Sequence, residues 1–290
     1  MQSGQSICFN TSDAWTIHSK VEQQIKEKIN AVGRPLSDWD ITIYRGILTG
    51  YNSAFIIDSP TKDQLIKTDP RSAELIRPIL RGRDIQRYSY SFAGLWLINV
   101  HNGLKEDNLD PININDYPAI KDHLDNYYTK LAKRADKGIT PYNLRNCAYM
   151  NELTKQKIIW GEISDKPKFA IDVEGAFTPE ATTFMMTGEH LKYLLCFLNS
   201  TLSEYYFAKI GTTTGMGTLR WKKYLIETLP IPKVDSATIS EFESIVDSML
   251  SDKENFDYYV EAINEKIYNI FGLSIEEIQF VENMVKIGAH

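Results

Sequence analysis

Cysteine is scarce in this 290-residue chain: only Cys8, Cys147 and Cys196 occur. An odd number at wide spacing excludes a disulfide framework and a close-spaced zinc cluster, and fits a reducing cytosol. No two cysteines or histidines stand at ligand spacing. Long apolar runs are missing as well. The strongest, Tyr193-Leu-Leu-Cys-Phe-Leu198, is far short of the roughly 20 residues that span a bilayer. Met1-Gln-Ser-Gly-Gln5 carries no basic-then-apolar signal pattern. The expectation is a cytoplasmic protein with no membrane partner.

Familiar catalytic signatures are absent too. No Asp or Glu is followed two positions later by Lys, as in many magnesium nucleases. Gly215-Met-Gly217 lacks the Gly-Lys-Ser/Thr ending of a phosphate cradle and the third glycine of a dinucleotide fingerprint. There is no Gly-x-Ser-x-Gly elbow. No Pro-Pro pair exists to form the amine-holding loop of an amino-methyltransferase. Asp172 and Glu174 remain an unsupported acidic pair. The five histidines read as surface or structural residues. No catalytic residue and no metal is therefore assigned.

What is present is an ordinary globular composition, 43% hydrophobic and 24% charged. The net charge of −6 is unevenly placed. Residues 234–290 carry a net of −9, and the remainder a net of +3.

Ser19-Lys-Val-Glu22 is a capping box that opens a helix carrying Val21, Ile25 and Ile29, which Gly33 ends. Residues 41–58 read as a strand, a tight turn and a strand. Thr61 to Ile76 reads as a helix broken at Asp69-Pro70. Leu95–Val100, Lys157–Trp160, Phe169–Ile171 and Thr182–Met186 read as strands. Residues 102–118 read as irregular loop, Ala119 to Ala135 as one helix, and His190 to Lys209 as another. The tail reads as three helices, with Ile245, Met249, Val260, Ile263, Ile267 and Ile270 as its apolar stripe and Ser274-Ile-Glu-Glu277 as a cap.

Basic residues gather beside turns. Arg45, Arg81, Arg83 and Arg87 form one set. Lys130, Lys133, Arg134, Lys137 and Arg145 form a second. Arg220, Lys222 and Lys223 follow a glycine–threonine loop, 211–217, whose Thr212 and Thr213 suit phosphate contact. Arginine pairs bidentately with guanine edges and phosphates. Any one of these charges alone reads as a solvated residue; several clusters beside turns point to a shared groove. Tyr127, Tyr128, Tyr205 and Tyr206 stand at helical spacing, which favours core and rim positions over base stacking.

Three segments carry a resemblance: Arg45-Gly-Ile-Leu-Thr-Gly-Tyr-Asn-Ser-Ala-Phe-Ile-Ile-Asp58, Ile79-Leu-Arg-Gly-Arg-Asp-Ile-Gln-Arg-Tyr88, and Phe177-Thr-Pro through Asn199-Ser200 to Leu229-Pro-Ile-Pro232. In order and spacing they resemble the TaqI-like C-terminal specificity domain of adenine-specific DNA methyltransferases and type IIG or IIS restriction–modification enzymes, over roughly residues 14–235. The resemblance implies an α+β fold: a mixed-sheet target-recognition domain over 1–235, then an acidic helical tail over 236–290.

It further implies sequence-specific binding of double-stranded DNA. The contacts would come from Arg45, Thr49, Asn52, Arg81, Arg83, Arg87, Lys133, Arg134, Thr212, Thr213, Arg220, Lys222 and Lys223. Gly46, Gly50, Gly82, Gly215 and Gly217 would shape the turns, and Asp84 would orient one of its arginines. The chain itself would not be an enzyme and would hold no cofactor. S-adenosylmethionine and magnesium would belong to methyltransferase and nuclease domains elsewhere, which the chain would serve as a recognition piece. Two other readings stay open: a module whose acidic tail docks a methyltransferase subunit, and a carboxylate-dependent nuclease using Asp172 or Glu162.

Overall fold

The computed structural model describes residues 20–212 and 218–288. It forms two compact units from interleaved segments. The first draws its described residues from 1–41, 163–167 and 189–290, and the second comprises 42–162 and 168–188. Ser19, Thr213, Gly215 and Gly217 lie outside the described residues.

The first unit is mainly helical. Helix Lys20–Val32 buries Ile25 and Ile29. Gly33 ends it and begins a short strand, Gly33–Pro35, antiparallel to Pro230–Pro232. A Cβ on Gly33 would stand 2.5 Å from the Pro230 Cβ, so only glycine fits that crossing. The single helix expected over 190–209 is two, Leu191–Leu198 and Thr201–Ile210. Ser200 breaks it by taking the N-cap position, where its hydroxyl accepts from Ser203 N at 3.0 Å.

Three helices follow: Ser236–Ser251, Phe256–Ile270 and Ile275–Ile287. Ser274 and Glu277 form the expected capping box of the third. The apolar stripe of the first is turned slightly from the expected face. Phe242, Val246 and Met249 are buried, whereas Ile245 is only half-buried. Phe242 meets Tyr193 edge-on at 5.4 Å between ring centroids, and Phe280 meets Tyr205 at 6.3 Å. Lys28 binds Glu277 at 2.6 Å. The boundary expected at 235/236 thus falls inside one unit, because the acidic helices share a core with helices 191–210. Removing 236–290 would expose that core.

The second unit contains two four-stranded sheets. One orders its strands as Ile41–Arg45, Thr183–Gly188, Lys157–Gly161 and Phe169–Asp172. Its central pairs are antiparallel, with Trp160 opposite both Phe184 and Phe169. The other runs Ile56–Asp58, Leu95–Ile98, Ile76–Leu80 and Thr178–Pro179, the last pairing parallel to its neighbour. Helices Ser59–Thr68, Pro118–Asp125 and Tyr128–Lys133 belong to the same unit. Ile79, Leu80, Ile98, Ile120, Leu124 and Leu131 are fully buried in its core. Each such side chain contributes about 1.5–3 kcal/mol relative to exposure.

Two sequence expectations fail here. Residues 41–58 are not a hairpin: strands 41–45 and 56–58 join different sheets, and Asn52–Phe55 make a helical turn between them. The helix expected over 119–135 breaks at Asn126–Tyr127. The Asn126 side-chain amide there turns back and donates to the carbonyls of Asp122 and His123.

Candidate nucleic-acid interface

The arginine turns of the second unit converge on one segment, Pro179–Thr183. Gly46 N donates to Thr183 O at 2.8 Å, and Ile47 N to Pro179 O at 2.7 Å. A Cβ on Gly46 would stand 2.0 Å from Glu180 O, so the close approach demands glycine there. Glu180 is buried and ties three turns together. Its N–H donates to Leu80 O at 2.8 Å. Its carboxylate accepts from Asn52 Nδ2 at 3.2 Å and from Thr182 N and Oγ1 at 2.9 and 2.6 Å. Thr182 Oγ1 in turn accepts from Gly82 N at 3.3 Å. Gly82 and Gly161 stand back to back, where a Cβ on Gly161 would meet the Gly82 Cα at 3.1 Å.

This framework orients Arg45. Its Nε donates to Ala181 O at 3.1 Å, one terminal nitrogen meets Glu162 at 3.3 Å, and its guanidinium lies 5.9 Å from the Phe184 ring centre. The side chain is nonetheless 60% exposed. Arg83 is exposed, and its side chain has no hydrogen bond or ion pair among the described residues. Arg87 lies against the Tyr88 ring at 5.7 Å.

Arg81 is held differently. Its Nε and a terminal nitrogen grip Asp84 at 2.9 and 2.7 Å, and Arg81 N donates to the same carboxylate at 2.9 Å. Asp84 therefore orients Arg81, as the sequence leads one to expect. The Asp84 hydrogen bond raises the Arg81 pKa. Burial raises the Asp84 carboxyl, but the Arg81 side chain and backbone outweigh it, and the net value falls below the ordinary carboxylate range. A depressed carboxylate stabilises the fold above about pH 4 and loses that contribution as pH falls further. Arg81→Ala is expected to cost roughly 1–2 kcal/mol at pH 7, allowing for partial exposure. The gap to wild type should close below pH 4 in urea titrations, and a gap independent of pH would exclude Asp84 as the cause.

Two expected contact residues serve the fold instead. Thr49 is fully buried, and its hydroxyl donates to Asn52 Oδ1 at 2.6 Å. Gly50 follows it with φ +70°, a backbone conformation that glycine tolerates. Arg134 is also buried. It donates to the carbonyls of Thr49, Pro141 (3.1 Å) and Asn143 (2.6 Å), and lies 4.5 Å from the Phe55 ring centre. Neither side chain is open to a partner. Neighbouring Lys133 is exposed.

In the first unit, Arg220 lies in the short strand Leu219–Arg220 opposite Ile163. Buried Trp221 fixes that strand by stacking on Phe207 at 3.8 Å and donating to Ser164 O at 3.2 Å. Thr212 is exposed and accepts at its carbonyl from Arg220 N at 3.0 Å. Lys222 is half-buried, and Lys223 is exposed near Glu227 at 3.6 Å.

Asp172 and Glu162 are both engaged within the fold. Asp172 is buried against Lys157 at 2.7 Å and accepts from Ala176 N and Phe177 N. Glu162 faces Arg45. Among the described residues no three His, Cys, Asp or Glu side chains gather as a metal site. No described helix is long and apolar enough to cross a membrane. Sequence reasoning missed Glu180 and Thr182 as organisers. Their one signal is the position of Glu180-Ala-Thr-Thr183 directly after the Phe177-Thr-Pro179 motif.

Fold and site together define an α+β domain that presents arginines on turns braced against two mixed sheets. The chain belongs to the family of TaqI-like C-terminal specificity domains, whose family model matches residues 77–231, just over half of it. Among solved structures, the type IIL restriction–modification enzyme MmeI in complex with DNA is similar at 12% identity and a TM-score of 0.65. That match covers 89% of this chain and 37% of that one. The type IIG restriction endonuclease BpuSI aligns at 14% identity and a TM-score of 0.49, over 87% of this chain and 32% of that one. This chain thus spans about a third of each. No curated protein matches it.

Proposed function

We infer that this chain recognises a specific double-stranded DNA sequence as the specificity portion of a restriction–modification enzyme. The observation that carries the reading is the convergence of arginine turns on Pro179–Thr183, with Arg45 oriented yet exposed and Arg83 exposed beside the paired Arg81. Family membership supports the same reading. Phosphate contacts supply most of the affinity and make it fall with salt, while a few side chains at base edges supply specificity. Arg45, Asn52, Arg81, Arg83, Arg87 and Lys133 are the contacts in the second unit. Thr212, Thr213, Arg220, Lys222 and Lys223 are those in the first. Thr49 and Arg134 leave the set because both are buried.

The reaction belongs to partner domains: an adenine methyltransferase using S-adenosylmethionine and a magnesium-dependent nuclease. The acidic tail suits a basic face of such a partner. Part of its charge is already used within the unit, since Asp247 meets Lys192 at 2.5 Å and Glu277 meets Lys28.

The direct test is selection from randomised duplex DNA at low and near-physiological salt. Enrichment of a short motif supports the reading, and no binding at low salt removes it. Arg83→Ala supplies the companion test. It should leave stability within about 0.5 kcal/mol of wild type. If Arg83 touches phosphate, the salt dependence of binding should fall by about one unit of slope. An unchanged slope and affinity would take Arg83 out of the interface.

A further inference from the structure

A cavity of about 320 Å³ opens in the second unit beside Arg45. It is lined by Arg45, Arg145, Asn99, His101 and Asn146, and by apolar side chains from segments 47–48 and 144–153. No Asp or Glu lines it. Its volume is at the lower end of the range for small-molecule sites, roughly 300–1,000 Å³.

The donors are arranged without matching acceptors. His101 Nδ1 accepts from Gly103 N at 3.2 Å, which leaves the ring proton on Nε2. Burial and the charge of Arg77 push the imidazolium pKa below its ordinary value, so the ring is neutral at pH 7 and Nε2–H donates. That atom has no partner among the described residues. The Asn99 side-chain amide has none either. Asn146 uses its oxygen to accept from Asn102 and keeps its NH₂ group. Arg145 engages Asp136 through one terminal nitrogen at 3.2 Å, and Arg45 engages Glu162 through one of its own. Each guanidinium retains a terminal nitrogen with no partner in these contacts.

A neutral apolar ligand would leave these donors unsatisfied. A bare inorganic anion would leave the apolar wall unused. A ligand with a phosphate and a flat heteroaromatic part meets both demands: guanidinium groups pair with phosphate, and asparagine amides pair with base edges. We propose that this cavity binds a nucleoside monophosphate, either free or as an unpaired nucleotide of a DNA strand. The proposal does not rest on duplex recognition, which is measured separately.

Calorimetry on the whole chain tests it, using the four deoxynucleoside monophosphates, inorganic phosphate and the deoxynucleosides. At least one monophosphate should bind with Kd below about 1 mM, and about tenfold tighter than phosphate or its own nucleoside. Two variants probe the cavity at exposed positions: Arg145→Gln removes a cation, and Leu48→Trp fills space from a side chain 37% exposed. Each should weaken binding about tenfold while the melting temperature holds.

Competition by duplexes separates the two sources. Displacement by a duplex with one unpaired nucleotide, but not by a blunt duplex, assigns the strand-borne form. Displacement by neither assigns the free nucleotide. Absence of monophosphate binding at millimolar concentration overturns the proposal. So does phosphate binding as tightly as any nucleotide, or binding that neither variant alters. Direct binding of the blunt duplex is recorded in parallel, so the failure of either reading is recognisable without the other.

Discussion

Arg134→Ala should destabilise the protein by about 3–5 kcal/mol in urea unfolding at pH 7, far more than any other arginine of the clustered turns. The guanidinium lies under the 46–52 turn and donates to the carbonyls of Thr49, Pro141 and Asn143. Truncation leaves the Thr49 and Pro141 carbonyls without this donor, at about 1–3 kcal/mol each where water cannot enter, and empties the face of Phe55; the Asn143 carbonyl keeps its bond from Gly138 N at 2.9 Å. Arg134→Lys should recover only a small part, since one ammonium cannot reproduce a planar fork aimed at separate loops. Burial pulls the Arg134 pKa down to about 10, which still leaves arginine charged at neutral pH. A lysine starts from an ordinary value near 10.4, so the same burial would carry it toward neutrality. Arg83→Ala is the control, because its side chain is exposed. If Arg134→Ala and Arg83→Ala unfold at the same urea concentration, Arg134 does not hold these loops. Any loss of DNA binding in Arg134→Ala should track the unfolded fraction.

Nothing local in the sequence distinguishes Arg134 from Lys133. Both end a short basic helix beside a glycine-containing loop. What separates them is which face of Tyr128–Lys133 meets Phe55, and that depends on packing between segments about 80 residues apart. The error at 41–58 has the same origin. Alternating isoleucines around Gly50 and Asn52 carry hairpin chemistry, but strand 41–45 pairs with 183–188 and strand 56–58 with 95–98. Long-range pairing overrode a reasonable local reading. Apolar runs with a single outcome were legible: 157–160, 95–98 and the tail helices stand close to where their patterns put them. The break at Asn199-Ser200 was legible in principle, since Ser200 is a good N-cap, but the continuous apolar face across 191–202 concealed it. For the candidate site, residue type and turn position pointed to Arg45, Arg81 and Arg83, which the fold carries on turns braced by the Pro179–Thr183 segment. Glu180 was hidden because a buried carboxylate that braces turns looks the same in sequence as a solvated one.

Lys157 and Asp172 are the pair on which damage of the same size is expected. Their side chains are 0% and 2% exposed and 2.7 Å apart. Burial pulls the Lys157 ammonium below its ordinary pKa, and the hydrogen bond to Asp172 acts against that pull. The ammonium also donates to Leu153 O at 2.8 Å, and the carboxylate accepts from Ala176 N and Phe177 N. Removing one partner strands a charge without removing its desolvation cost, so Lys157→Ala should lose about 3–5 kcal/mol. Lys157→Met restores volume but not the counter-charge, and should recover little. Combining it with Asp172→Asn removes both charges. The double variant should be more stable than the sum of the single losses predicts, by about 0.5–3 kcal/mol of coupling. Strict additivity in that cycle would mean that the two charges do not act as a pair. The consequence reaches the candidate interface. Asp172 fixes Phe177 N, two residues before the Pro179–Thr183 segment on which the arginine turns converge. A destabilised Lys157 variant should therefore lose DNA affinity without any contact residue having changed, and Lys157→Met/Asp172→Asn should regain affinity in the measure that it regains stability.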